Sequence, residues 1–375
     1  MKKIGRLVKT VKTSAANPRN GEGSFIRLKD GGIMLAYSHF GGTGNDHDRS
    51  RLMCILSYDE GESWSEAREL FNDDQDSRNN MAASFVRLPN GELGLCYFRK
   101  SDEADGTIAC MPVFRYSRDE GKTWSRLVFC TQDTGYYCGT NHASIVTNAG
   151  RIVTPVAFAG SVHRYDLSPG VIRFFCSDDC GRSWQETLTP ISSPYGDRYG
   201  LQEPGLMELS DGRLWCHMRT AYGFQYQSLS LDGGVTWSVP EPNLLFPSPD
   251  APMRVKRFGE KTIALFNPLA HSQASAYRLH WGSPPRTPLV LALSANDGAD
   301  FARPVSAFSY DAFNEFCLRC FALEDDPADS FCYPAMIRTK DGFLVTYYCD
   351  GGSNWVLNYS RILKIHDSEI EVSSR

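Results

Sequence analysis

Five copies of one short pattern constrain this chain more than anything else in it. Four are intact Ser-x-Asp-x-Gly-x-x-Trp boxes, at Ser57–Trp64, Ser117–Trp124, Ser177–Trp184 and Ser230–Trp237. A fifth, Ser294–Phe301, keeps the register with Asn296 for Asp and Phe301 for Trp. The starts lie 60, 60, 53 and 64 residues apart, from positions 57, 117, 177, 230 and 294. A period of this size means one structural unit copied along the chain. The letters have physical roles. The Asp bonds the backbone N–H groups of its own turn, the Gly permits positive φ, and the aromatic packs the turn onto neighbouring strands.

A second repeat runs in phase with the first. Leu28-Lys29-Asp30-Gly31-Gly32-Ile33, Leu88–Leu93, Asn148–Ile152, Leu209–Leu214, Arg257–Ile263 and Thr339–Leu344 each join two apolar runs through a tight turn. Asp-Gly and Asn-Gly between β-rich runs signal hairpins. Six hairpins and five boxes predict an all-β, six-bladed β-propeller of four-stranded antiparallel blades. The last blade is expected to be closed by strands from both chain ends, around Ile4–Thr13 and Ile362–Val372. The whole chain, 1–375, reads as one domain, since no Pro/Ser-rich linker or charge block divides it and a propeller grows by adding blades.

Composition narrows the function classes. The net charge of −5 supplies no basic field for nucleic acid, so an acidic ligand needs a site made locally. The N-terminal residues Met1–Lys9 carry basic residues without an apolar core, and no apolar run approaches a membrane span. Those features predict a cytoplasmic protein with no membrane partner. Twelve cysteines then read as free, mostly buried thiols. Cys317-Leu318-Arg319-Cys320 is a lone CxxC without a second pair or a His at ligand spacing, which argues against a metal site.

In a propeller the box turns lie on the outer rim, and ligands meet the inner strands at the axial mouth. Polar residues in apolar strand contexts are therefore the candidates. Glu203 heads an inner strand, and the strand after the Asp211-Gly212 hairpin returns Arg219 to the same end. A structural ion pair is the alternative reading of these two. Arg286 precedes the strand leading to the fifth box. Tyr333 stands where Glu203 stands two repeats earlier. Arg19 lies before the first inner strand, and the polar loop Gly41–Arg49 follows the second. Arg78, Asn80 and Asn141 begin two further inner strands and are candidates for sugar hydroxyl or N-acyl contacts, with capping of the strand start as the competing role. Cys138 and His142 form a weaker thiol–imidazole candidate. Arg164 and Asp166 sit in a long loop, and Tyr222, Phe224 and Tyr226 either wall a sugar site or fill the sheet.

On these residues the chain resembles the sialidase (exo-α-sialidase, or neuraminidase) superfamily with Asp-box (BNR) repeats. The boxes span nearly the whole chain. More specific is the ordered set Arg19, Asp46, Glu203, Arg219, Arg286, Tyr333, which falls in the family's order and on its blades. The family's usual Arg-Ile-Pro is replaced by Asn17-Pro18-Arg19-Asn20-Gly21, and Asp48 competes with Asp46 for the loop carboxylate.

The resemblance implies a glycoside hydrolase that releases terminal sialic or related nonulosonic acid from acidic glycans, with no metal and no cofactor. Arg19, Arg219 and Arg286 hold the substrate carboxylate by charge-assisted bonds. Tyr333 is the nucleophile, because a neutral hydroxyl avoids the repulsion a carboxylate would meet; sialidases are the known Tyr exception among glycosidases. Glu203 takes its proton, and Asp46 or Asp48 protonates the leaving oxygen and then activates water. Two alternatives use the same chain: intramolecular transfer giving an anhydro sugar, and a non-catalytic glycan-binding propeller that kept the boxes.

Overall fold

The computed structural model describes residues 1–74, 76–160, 168–196, 199–268, 286–307, 318–350 and 357–371. The chain is an all-β propeller of antiparallel sheets. Among the described residues no helix is long and apolar enough to cross a membrane.

Strands β2 (Arg19–Arg27), β3 (Ile33–Phe40), β4 (Ser50–Ser57) and β5 (Arg68–Glu69) form the first antiparallel run. β6 (Asn79–Arg87), β7 (Leu93–Asp102), β8 (Ile108–Ser117) and β9 (Val128–Phe129) form the second. β10 (Tyr137–Cys138), β11 (Ile145–Val146), β12 (Ile152–Phe158), β13 (Val171–Ser177) and β14 (Gln185–Glu186) make a third, with β10 and β11 both pairing β12. β15 (Gln202–Glu208), β16 (Leu214–Arg219), β17 (Phe224–Ser230) and β18 (Glu241–Pro247) follow in simple order. So do β19 (Arg254–Phe258), β20 (Lys261–Phe266), β21 (Leu289–Leu293) and β22 (Arg319–Glu324). The last sheet runs β23 (Phe331–Arg338), β24 (Gly342–Cys349), β25 (Tyr359–His366), β1 (Arg6–Val11).

Both chain ends therefore share one sheet, as the sequence predicts, with Arg6 opposite Lys364 and Val11 opposite Ser360. The expectation of six separate sheets is met only in part. Four stand alone, while β2–β9 run on as one eight-stranded sheet, joined by a single parallel bridge between Ser50 and Asn79. The bridge forms where the first residue of β4 meets the head of β6.

The first strand of each group faces the axis, except in the third, where β11 and β12 take that place. β2 packs on β6 and β23, β6 on β11, β12 on β15, β15 on β19, and β19 on β23, so the ring closes. Central strands such as β24 are buried along their whole length, because sheets cover both faces. The outermost strands β5 and β14 are only two residues long, which leaves little free edge.

The boxes pin these sheets together. In the first, Ser57 Oγ accepts from Gly61 N at 2.8 Å, Asp59 accepts from Ser63 N at 2.9 Å, and Trp64 Nε1 donates to the Gly61 carbonyl at 3.1 Å. The Ser and Asp bonds recur around Asp119, Asp179 and Asp232, and the indole bond recurs at Trp184 and Trp237. The box aromatic then crosses to the preceding sheet: Trp237 stacks on Phe174 at 4.1 Å, and Trp184 meets Phe114 at 5.2 Å. The fifth box works with its altered letters. Asn296 Oδ1 accepts from Asp300 N at 2.7 Å, and Phe301 is fully buried against Phe246. The eleven cysteines among the described residues are free; Cys317, Arg164 and Asp166 lie outside those residues.

Candidate active site

The heads of the inner strands share a backbone device. β2, β6, β15 and β23 each slip register through a bulge, between Gly21 and Ser24, Met81 and Ser84, Gln202 and Gly205, and Cys332 and Ala335. The first looped-out residue of each is left-handed: Glu22 (φ 55°), Ala82 (φ 55°), Glu203 (φ 43°) and Tyr333 (φ 52°). His142 (φ 58°) does the same ahead of β11. Positive φ in a residue with a side chain is uncommon and costs energy, and a bulge re-aims its side chain. Here the bulges turn residues of different sheets toward one another.

Glu203 and Tyr333 meet on that basis. The Tyr333 hydroxyl donates to Glu203 Oε1 at 2.5 Å. Arg219, returned by the β15–β16 hairpin, donates through Nη1 to Glu203 Oε2 at 2.7 Å and to the Tyr333 hydroxyl at 3.3 Å. Its Nε reaches Asp250 Oδ1 at 2.5 Å. Arg286 joins from the segment before β21. It donates through Nη2 to the Asp250 carbonyl and through Nη1 to Cys332 Sγ, both at 2.9 Å, and its guanidinium lies 5.7 Å from the Tyr333 ring centroid.

A second group adjoins the first. Arg19 pairs with Asp46 and donates through Nε to the Tyr348 hydroxyl at 3.0 Å, with Glu22 Oε1 3.5 Å from Nη2. The Tyr348 ring stands edge-on to Tyr333, centroids 5.9 Å apart, and so links the two groups. Asp46 is the loop carboxylate placed at Arg19. Asp48 instead folds its own loop, accepting from Thr43 N, Thr43 Oγ1 and Asn45 N at 2.7, 2.8 and 3.0 Å.

Electrostatics follow from this crowding. Burial pushes the Tyr333 hydroxyl well above its ordinary pKa; the Glu203 charge adds to that, and the two arginines oppose it. Arg219 is held more firmly protonated than usual: burial works against its charge, but Glu203, Tyr333 and Asp250 outweigh it. Asp46 is pulled down to about 2 because Arg19 and Lys100 overcome the partial desolvation of a carboxylate whose side chain still reaches solvent. Glu22 moves up, since burial exceeds the help of Arg19.

The other sequence candidates bond to scaffold. Asn141 donates to the Gly23 and Tyr333 carbonyls at 2.6 and 3.2 Å, which fixes the nucleophile candidate's backbone. Arg78 donates to the His47 carbonyl at 2.5 Å and pairs with Asp102; Asn80 donates to Ser77 Oγ at 2.8 Å. Both shape the outer side of the Asp46 loop. There a cleft of about 420 Å³ is lined in part by His47, Asp48, Arg78 and Asp102. His142 is buried, bonded to Ser24 Oγ and the Met336 carbonyl at 2.9 and 3.1 Å, and does not pair with Cys138. Tyr222 bonds Ser193 at 2.9 Å and packs on Tyr195 and Tyr226.

Sequence reasoning missed Glu22, Asp250 and Tyr348. Glu22 carried a signal: it stands six residues before the hairpin Leu28, as Glu203 stands six before Leu209 and Tyr333 six before Thr339. Tyr348 sits in the largely apolar strand Phe343–Cys349 and gave none.

Comparison with known proteins agrees with this architecture. Residues 72–346 match the BNR repeat-like domain family. The chain is 30% identical over 135 residues to a protein of Macrobdella decora named anhydrosialidase; the match covers 34% of this chain and 16% of that protein. A Dyadobacter fermentans protein of unknown function superposes with a TM-score of 0.70 at 18% identity, covering 96% of this chain and 99% of its own. The intramolecular trans-sialidase of Ruminococcus gnavus, solved with oseltamivir carboxylate, does so at 0.70 and 13% identity, covering 98% of each chain. With a family match over most of its length, this chain belongs to the BNR repeat-like domain family.

Proposed function

We propose that the chain is a retaining glycosidase that releases terminal sialic acid, or a related nonulosonic acid, from glycoconjugates. The reading takes residues 1–375 as one propeller of six blades, counting the eight-stranded sheet as two four-stranded units. The observation that carries it is a tyrosine hydroxyl bonded to a glutamate at 2.5 Å with two arginines beside it.

Each residue has a role set by its chemistry. Arg19, Arg219 and Arg286 anchor the substrate carboxylate, since guanidinium forks match carboxylates. Glu203 removes the Tyr333 proton as the phenolic oxygen attacks the anomeric carbon. The buried phenol keeps its proton until then, because its pKa stands well above the ordinary value. Asp46 gives a proton to the departing oxygen, and the leaving glycan exits toward the polar cleft beside its loop. Water activated by the same carboxylate then attacks the anomeric carbon of the tyrosyl glycoside intermediate, the bond to the phenolic oxygen breaks, and Glu203 returns the proton to Tyr333.

A second reading is intramolecular transfer, favoured by the similarity to a protein named anhydrosialidase. One assay separates the readings: release of fluorophore from an aryl α-sialoside, with NMR of the product. Free α-sialic acid supports hydrolysis, and an anhydro sugar supports transfer. No release from any nonulosonic substrate, with tight glycan binding retained, would leave only a lectin-like propeller.

A further inference from the structure

Around Arg19 the charges are balanced before any ligand arrives. Two cations, Arg19 and Lys100, stand with two carboxylates, Glu22 and Asp46, while the buried Arg254 guanidinium lies on the Glu203 side of the centre. A ligand carboxylate on Arg19 makes three anions against two cations in a confined site, where uncompensated charge is costly. One group has to yield.

Asp46 is the weakest holder. Its carboxylate is bonded to one cation, Arg19; Lys100 bonds the backbone carbonyl at 2.6 Å and acts on the carboxylate only through space. Glu203 and Asp250 share Arg219, and Glu22 keeps donors from Ser38 Oγ and Ala82 N at 3.0 and 3.1 Å. The Asp46 side chain is 60% exposed, against 4% for Glu22, so solvent protons reach it.

We propose that the substrate carboxylate displaces Asp46 from Arg19 and that Asp46 takes up one proton from solvent as the ligand binds. The acid is thus loaded by the molecule it will cleave. The inference rests on the reading of the three arginines as a carboxylate clamp. The groups facing Asp46 are Arg19 and Glu22 from β2, Lys100 from β7, Cys110 from β8, Tyr136 just before β10, Tyr348 from β24 and His47 in its own loop. With Arg19 engaged elsewhere, the ligand's and Glu22's negative charges both favour the protonated form. In the free protein Asp46 is held down at about 2 and is an anion at neutral pH. The proton bound on loading moves to the glycosidic oxygen as the C–O bond breaks, and the leaving alcohol carries it away. Asp46 returns to a carboxylate, ready to activate water.

The test is calorimetric titration of the full chain with the unsaturated didehydro analogue of N-acetylneuraminic acid, in buffers of different ionisation enthalpy. Between about pH 4 and pH 7, uptake should approach one proton per ligand toward the acid end, with affinity tightening up to about tenfold per pH unit. Asp46→Asn, which mimics the protonated acid, should bind at least as tightly and take up no proton. Wild-type binding with no proton uptake across the range overturns the proposal while leaving the clamp intact. Uptake that persists in Asp46→Asn overturns it in favour of another carboxylate. Failure of the wild type to bind the analogue at all overturns the clamp itself, and the proposal with it.

Discussion

Asp250 shows how a residue outside the reacting set can govern it. Its carboxylate fixes Arg219 and its carbonyl fixes Arg286, so one position sets the angle between two guanidinium groups. Asp250→Asn keeps the carbonyl and an acceptor oxygen but removes the charge, and should raise KM more than it lowers kcat. An equal fall in kcat with KM unchanged would place Asp250 in the chemistry instead. Tyr333→Phe and Glu203→Gln should each lower kcat about 10²–10⁴-fold. Acting as one unit, they should be far from additive when combined. Initial rates on the aryl sialoside decide it. At this scale the sequence carried much of the arrangement. Arg219 and Glu203 were legible because a hairpin returns its ends to one place. Asp250 was not, because its role needs a neighbouring sheet that nothing in Ser248–Pro252 announces.

At the scale of the element, the box is a rivet whose parts fail differently. Trp237, 8% exposed and stacked on Phe174, buries a large ring between two sheets. Trp237→Ala should cost about 3–5 kcal/mol in urea unfolding. The box carboxylates act through hydrogen bonds at an exposed turn. Asp59, Asp119, Asp179 and Asp232 are each lowered to about 2. A carboxylate whose pKa falls on folding stabilises above its unfolded value, and that contribution disappears as pH drops through the folded one. Stability should therefore decline between about pH 4 and pH 2, and Asp119→Asn should flatten that decline in thermal melts at stepped pH. An unchanged slope would mean the turn holds without its charge. The box and hairpin periods gave strand order almost completely. They did not give the Ser50–Asn79 bridge, since a single parallel contact depends on how two heads meet in space.

The whole molecule depends on how its ring closes. β1 and β25 bring the chain ends into one sheet, and the Lys2 carbonyl accepts from Ala322 N at 2.9 Å, tying β1's approach to the neighbouring sheet. Deleting residues 1–13 exposes the full edge of β25, and an unpaired edge invites pairing with other chains. The expected result is a lower melting midpoint with concentration-dependent self-association by light scattering. A monomer melting like the intact chain would show that β1 is ornamental. Closure was legible because one strand had to be supplied from the opposite end.

The left-handed bulge at the heads of the inner strands has a wider consequence. Five of the six repeats deliver the sixth residue before the hairpin to the axis through the same backbone turn. The chain is thus a socket board, its contacts read in order as Glu22, Ala82, His142, Glu203 and Tyr333. The wiring is inherited with the repeat, and only the plug changes. Duplication could multiply sockets without disturbing those already in use, which leaves the methyl-sized plug at Ala82 as the natural place to install a new side chain in the same ring of positions.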